Sequence, residues 1–293
     1  MIEFVSDMLA SPLIQRAFIV AVLVGLAAPV VGTYLVQRGL ALLGDGIGHI
    51  ALTGVAAGWL AGTLAGVAAP ENLALPGAVA VSIIGAVAIE WIRLKGRLTG
   101  DVALSILFYG GIATGVLLIK LAGGTSASLM NYLFGSISTV TWEDIWWIGL
   151  LGVLIAVVGL GLRGPLFAIS YDEDAARARG VPVTFLATTL ATLTALTVTV
   201  SMRVVGLLLV SALMIIPVVS AQLLARSFAS TMALASVIGA TVSLAGVCLT
   251  YFWDLPPGST IVVLAIGLYI LVQLGDRAVL AWGRRHDKAL STM

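Results

Sequence analysis

Nine apolar stretches, each about 20 residues long, leave this chain few ways to fold. They run over roughly 13–36, 40–66, 73–92, 101–121, 144–162, 184–201, 204–224, 229–252 and 259–276. Each is long enough to cross the hydrocarbon of a bilayer as a helix. Of the 293 residues, 60% are hydrophobic and 10% charged, too few charges to cover a water-exposed surface. Lipid is therefore the main solvent, and backbone polar groups in lipid must be satisfied within each span, which demands helices. The alternating ten-residue segments of a barrel are absent. The expectation is an all-α integral membrane protein, a polytopic bundle forming a single transmembrane domain over 1–293. Only Met202 and Arg203 part the sixth and seventh runs, so eight spans plus a broken helix is the alternative.

The connections sort the charges. One side receives Arg38, Arg93, Lys95, Arg97, Arg163, Arg177, Arg179, Arg226 and the tail with Arg277, Arg284, Arg285 and Lys288. The other receives Arg16, Lys120 and Arg203, together with Glu71, Glu143, Asp144 and Asp254. Lys and Arg accumulate on the cytoplasmic face, which predicts an external N-terminus and an internal C-terminus. Trp142, Trp146, Trp147 and Trp253 then fall at the outer interface as anchors. The opening residues lack the basic and small-residue signals of a secretory leader. A net charge of +1 gives no reason to expect nucleic acid, and Cys248 has no partner for a disulfide. No G-x-x-x-x-G-K-[ST] run is present, so ATP hydrolysis is not expected of this chain.

Within the second run, "LLGDGIGHIALTG" places Asp45 and His49 four residues apart, on one face of a helix and a turn or more inside it. Ionisable groups inside a span face a bundle interior or water. Carboxylate and imidazole together are ligands for a divalent transition metal, and Thr53 adds an oxygen one turn on. A hydrogen-bonded Asp–His pair, or Asp45 as a helix cap, is the structural alternative. Gly54, Gly58, Gly62 and Gly66 recur every four residues and predict a close-packed helix seam beside the pair, between helices or between subunits. The loop 163–183 is the longest polar insertion on the basic side. In it "DEDAARARGV" predicts a short helix stopped by Gly180 and Pro182. Pro217 predicts a kink in its span. Glu90 is placed to pair with Arg93, Asp101 near a helix start, Lys120 to snorkel, and His286 in a solvated tail.

Taken together these segments resemble the membrane permease subunit of bacterial ABC importers for zinc and manganese. "GDGIGHIALTGVAAG" resembles that family's G-D-x-x-x-H-x-x-x-x-G-V-A signature, "DVALSILFYGG" and "LMNYLFGSISTVTWEDI" its middle segments, and "GLLLVSALMIIPVVSA" its penultimate hallmark. "DLPPGSTIVVL" is similar to the closing D-x-P-x-G-x-x-I-V motif. "DAARARG" is similar to the E-A-A-x-x-x-G coupling motif with Asp for Glu, which implies ATPase coupling through Asp174, Ala175, Ala176 and Gly180. Many relatives carry proline where Thr53 stands.

The resemblance implies an ABC importer permease fold in the bacterial inner membrane. It implies a second permease copy, two cytoplasmic ATP-binding subunits and an extracytoplasmic metal-binding protein. Asp45 and His49 become the metal site, with Zn²⁺ or Mn²⁺ as transported substrate and no cofactor bound by the chain itself. The residues alone also fit a proton-coupled secondary transporter, or a structural or sensory scaffold.

Overall fold

The computed structural model describes residues 11–96, 100–123, 133–135, 140–253 and 255–290, with side chains of 100–101 and 278–290 left aside. Arg97, Asp254, most of "LMNYLFGSIST" and the side chains of Asp101, Arg284, Arg285, His286 and Lys288 therefore lie outside the described residues. The helices are α1 (Pro12–Gln37), α2 (Leu43–Leu64), α3 (Ala74–Leu94, entered through a 3-10 turn at Pro70–Leu73) and α4 (Gly100–Leu121). They continue as α5 (Trp142–Gly161), α6 (Arg163–Tyr171), α7 (Glu173–Ala178), α8 (Val183–Val205), α9 (Leu207–Leu224), α10 (Phe228–Trp253) and α11 (Pro257–Leu290). Among the described residues nine helices are long and apolar enough to cross a membrane.

The sixth and seventh spans are separate, but not where the sequence suggests. Met202 and Arg203 belong to α8, and the chain breaks at Gly206, whose φ of 84° is open to glycine and strained for other residues. A Cβ there would also strike the backbone of Phe134 and Gly135. Neither Pro29 in α1 nor Pro217 in α9 ends its helix. Gly239 of α10 fits against Gly25 and Pro29 of α1, a close approach that a side chain would block.

Two groups of helices make the bundle. One is α2 with α3 and α4; the other is α1 with α9, α10 and α11, and α8 lies between them against α3. The glycine seam belongs to the first group and lies within the chain. A Cβ on Gly54 would meet Gly77 and Ala78, one on Gly58 the Leu73 carbonyl, and one on Gly62 Pro70. Gly66 is no part of it: it ends α2 with φ 66° and has open space around it.

The charged ends agree with the alternation of connections. Arg38, Glu90, Arg93 and Glu173 meet at one end of the bundle. At the other, Arg16 donates to the Val140 carbonyl and lies over the Trp142 ring, and Arg203 approaches Asp144 at 3.5 Å. Trp142, Trp146, Trp147 and Trp253 are all exposed on the outer surface of the bundle.

Candidate functional site

The second helix starts at Leu43, so Asp45 stands in its first turn rather than a turn inside it. It makes no capping hydrogen bond; the residue before the helix is Leu42. A carboxylate there is still favoured by the positive end of the helix dipole. Alternate glycines let the turn be crowded on its other sides. A Cβ on Gly44 would press the Met214 sulfur at 3.3 Å, and one on Gly48 would collide with Leu207. The glycine side of this turn thus packs against α9, while Asp45 itself stays 28% exposed.

Helix α4 forms the other wall. Gly111 lies so close to the His49 backbone that a Cβ would come within 2.6 Å of the His49 carbonyl carbon. One turn earlier, Phe108 meets the His49 ring edge to face, centroids 4.4 Å apart at 77°. Between α2 and α4 opens a cavity of about 430 Å³ lined by Leu42, Asp45, Gly46, Leu104, Ser105, Phe108 and Tyr109. Tyr109 is 70% exposed at its edge, so the cavity faces out of this chain.

Asp45 and His49 do share a face, as their spacing predicts, with His49 Nε2 3.9 Å from Asp45 Oδ2. That is too long for a hydrogen bond. The buried Nδ1 of His49 has no protein partner either. The pair is therefore not the mutually satisfied couple of the structural alternative. Two ligand atoms held by one ion at about 2.1 Å stand roughly 3.0–3.4 Å apart, so a modest closure admits a metal. Thr53 does not join them: its hydroxyl donates to the Gly111 carbonyl at 2.8 Å. Among the described residues no three of His, Cys, Asp and Glu gather in one place, so this chain offers an ion two side chains.

The 163–183 loop is two helices, α6 and α7. Asp172 caps α7 through the Ala175 amide. Gly180, at φ 79°, lets the Val181 amide return to the Ala176 carbonyl at 3.1 Å, as the predicted stop requires. Asp174 lies in the first turn of α7 and Ala176 is buried. One charged assembly escapes sequence reading. Glu90 and Arg93 pair as expected, at 2.7 Å, but Arg38 and Glu173 complete the group, and Glu90 is 1% exposed. Three segments distant in sequence supply it, and only the Glu90–Arg93 spacing gives a local signal.

Comparison with known proteins places this architecture. Residues 10–275 match the model of the ABC 3 transport family. The chain belongs to that family. It is 31% identical over 268 residues to the manganese transport system membrane protein MntC of Halalkalibacterium halodurans, covering 92% of this chain and 89% of that one. It is 32% identical over 269 residues to the manganese import system permease protein ScaB of Streptococcus parasanguinis, covering 92% of each. Among solved structures, PsaBC from Streptococcus pneumoniae in complex with Fab superposes with a TM-score of 0.79 at 32% identity, covering 93% of this chain and 95% of that one. This member of the ABC 3 transport family has the helical architecture of an ABC transporter permease.

Proposed function

We propose that this chain is the permease subunit of an ABC importer whose substrate is a divalent transition metal, Mn²⁺ in the first instance. The observation that carries the reading is the Asp45–His49 pair: on one face of one helix, with Asp45 lining a cavity, and without a hydrogen bond between its members. Oxygen and imidazole donors suit Mn²⁺, and the similar proteins MntC and ScaB carry manganese in their names. A second permease copy facing the open side of the cavity brings the donors to two carboxylates and two imidazoles. The arginine-rich end, with Arg38 and the 163–183 loop, lies in the cytoplasm. Asp174, Ala175 and Gly180 there meet two ATP-binding subunits that hydrolyse ATP, and buried Ala176 anchors their helix from beneath. An extracytoplasmic metal-binding protein supplies the ion at the opposite end.

In the cycle, the ion passes to deprotonated Asp45 and His49. Movement of the loop on ATP binding shifts the helices about the cavity. The two donors part again and the ion leaves inward. A weak, half-open pair suits an ion that must be released each turn.

His49→Gln decides the matter. Glutamine keeps the size and a hydrogen-bonding end but is a poor metal ligand. The variant is expected at wild-type yield in membranes with its ATPase subunits, and without ⁵⁴Mn²⁺ uptake. Near-normal uptake by that complex removes His49 as a ligand. A proton relay without an ATPase is excluded if the purified chain brings an ATP-binding subunit with it.

A further inference from the structure

The four charges at the arginine-rich end form a closed ring. Arg38 Nη2 donates to Glu90 Oε1 at 3.0 Å and to Glu173 Oε2 at 3.1 Å. Arg93 Nη2 donates to the same two oxygens, at 2.7 Å each, and its Nε reaches Glu90 Oε2 at 3.2 Å. Arg177 also reaches Glu173, its Nη2 3.2 Å from Oε1, but is exposed, whereas Arg38 and Glu90 are nearly inaccessible, at 4% and 1%. Glu90 Oε1 and Glu173 Oε2 are each held by both arginines, so the ring fixes position as well as charge. Three members come from the ends of α1 and α3; the fourth, Glu173, is the first residue of α7, the short helix beside the coupling residues.

The path from this ring to Asp45 has no slack. Arg38 closes α1, and the Leu40 amide turns back to the Leu35 carbonyl at 2.8 Å. Leu43, the first residue of α2, bonds to Leu40 at 2.9 Å, and the Gly46 amide to Leu42 at 3.0 Å. Every step between Arg38 and Asp45 is thus hydrogen-bonded turn or helix. Leu40 and Leu43 are buried and packed beside Ile89, Glu90 and Leu104, next to Ser105 of the cavity wall. A second contact bears on the same helix end: Phe167 of α6 stacks on Phe228 at 4.7 Å, and Phe228 on Tyr34 of α1 at 5.2 Å.

We propose that Glu173 is a positioning residue for transport. Through Arg38, Arg93 and Glu90 it locks the short cytoplasmic helix to the turn that bears Asp45, so the two move as one body. The ring stays closed through the cycle, because withdrawing Glu173 alone leaves buried Arg38 and half-buried Arg93 to share a single carboxylate. This rests on the loop being the ATPase dock.

The test uses the complex with its ATPase subunits, reconstituted in liposomes with the delivery protein and Mn²⁺. Glu173→Gln is expected to retain its ATPase subunits, to lose Mn²⁺ uptake at least about tenfold, and to hydrolyse ATP at a rate indifferent to the metal-loaded delivery protein. Lys95→Gln, an exposed cation two residues from Arg93, keeps full stimulation. Wild-type stimulation in Glu173→Gln overturns the proposal. So does loss of the ATPase subunits, which would make Glu173 a direct docking contact. A second variant guards against misfolding: Arg93→Cys with Glu173→Cys, in a Cys248→Ser background, removes one charge of each sign and leaves the Arg38–Glu90 pair. Reduced, it should be uncoupled; bridged by a short bifunctional thiol reagent, it should regain stimulation and uptake. Full coupling when reduced, or none after bridging, overturns the closed ring. The dock is tested apart from it by Gly180→Asp, which leaves all four ring members in place and is expected to release the ATPase subunits. Wild-type behaviour of that variant unseats the docking reading alone.

Discussion

Two polar pairs flank the turn between α1 and α2, Asp45 with His49 at the start of α2 and Arg38 at the end of α1 with Glu90 of α3, and they are built in opposite ways. Asp45 and His49 are 3.9 Å apart, partly open, and leave a buried imidazole nitrogen without a partner. Arg38 and Glu90 are 3.0 Å apart, sealed from solvent, and held by two further charges. A pair whose donors are left unspent can take up a passing cation and give it back. A pair whose donors are all spent can only hold the backbone where it is. What separates the two pairs is how completely each group is satisfied.

Breaking each pair should have mirror-image consequences. Asp45→Asn is expected to abolish Mn²⁺ uptake, at least about a hundredfold below wild type, while costing less than about 1 kcal/mol of stability, since no hydrogen bond is lost. Glu90→Ala leaves buried Arg38 and half-buried Arg93 with Glu173 alone between them and should cost roughly 3–5 kcal/mol. It is read as a fall in yield and in the thermal midpoint of the detergent-purified complex. Uptake measured beside thermal stability for both variants checks the contrast; a large stability loss in Asp45→Asn would show the pair to be structural.

The seam beside the pair sharpens the comparison. Gly58→Leu puts a side chain onto the Leu73 carbonyl, and backbone cannot give way as a flexible side chain does. Overpacking of this kind costs about 1–3 kcal/mol or more, and the clash lies within one chain, so monomer yield should fall before any effect on dimer assembly. Normal monomer yield with lost assembly would move the seam to the subunit interface. The smallest effect is expected of Thr53→Val. Losing the bond to the Gly111 carbonyl should cost about 1 kcal/mol and leave most uptake intact. Lost uptake with unchanged stability would make Thr53 a third ligand.

Relations inside one helix were legible from spacing. The i, i+4 period put Asp45 and His49 on one face, and i, i+3 put Arg93 on Glu90. Gly180 was legible as a stop because a left-handed residue after a short helix is glycine's place. Relations between helices were not legible. Nothing near Glu173 in sequence points to Arg38. Thr53 read as a ligand because its face was right, but Gly111, on another helix, claims its hydroxyl.

The sequence by itself determined that the chain lives in lipid and which ends share a side, but not whether the sixth and seventh runs are two helices or one broken one. These follow from apolar length and from where charges are tolerated, both local properties. Tertiary structure alone decided which glycines face backbone, where α8 ends, and which charges close a ring. In a membrane bundle nearly every helix face is apolar, so hydropathy carries little information about neighbours. Which faces meet is settled by steric fit between backbones, and by the need of each buried charge to find its opposite.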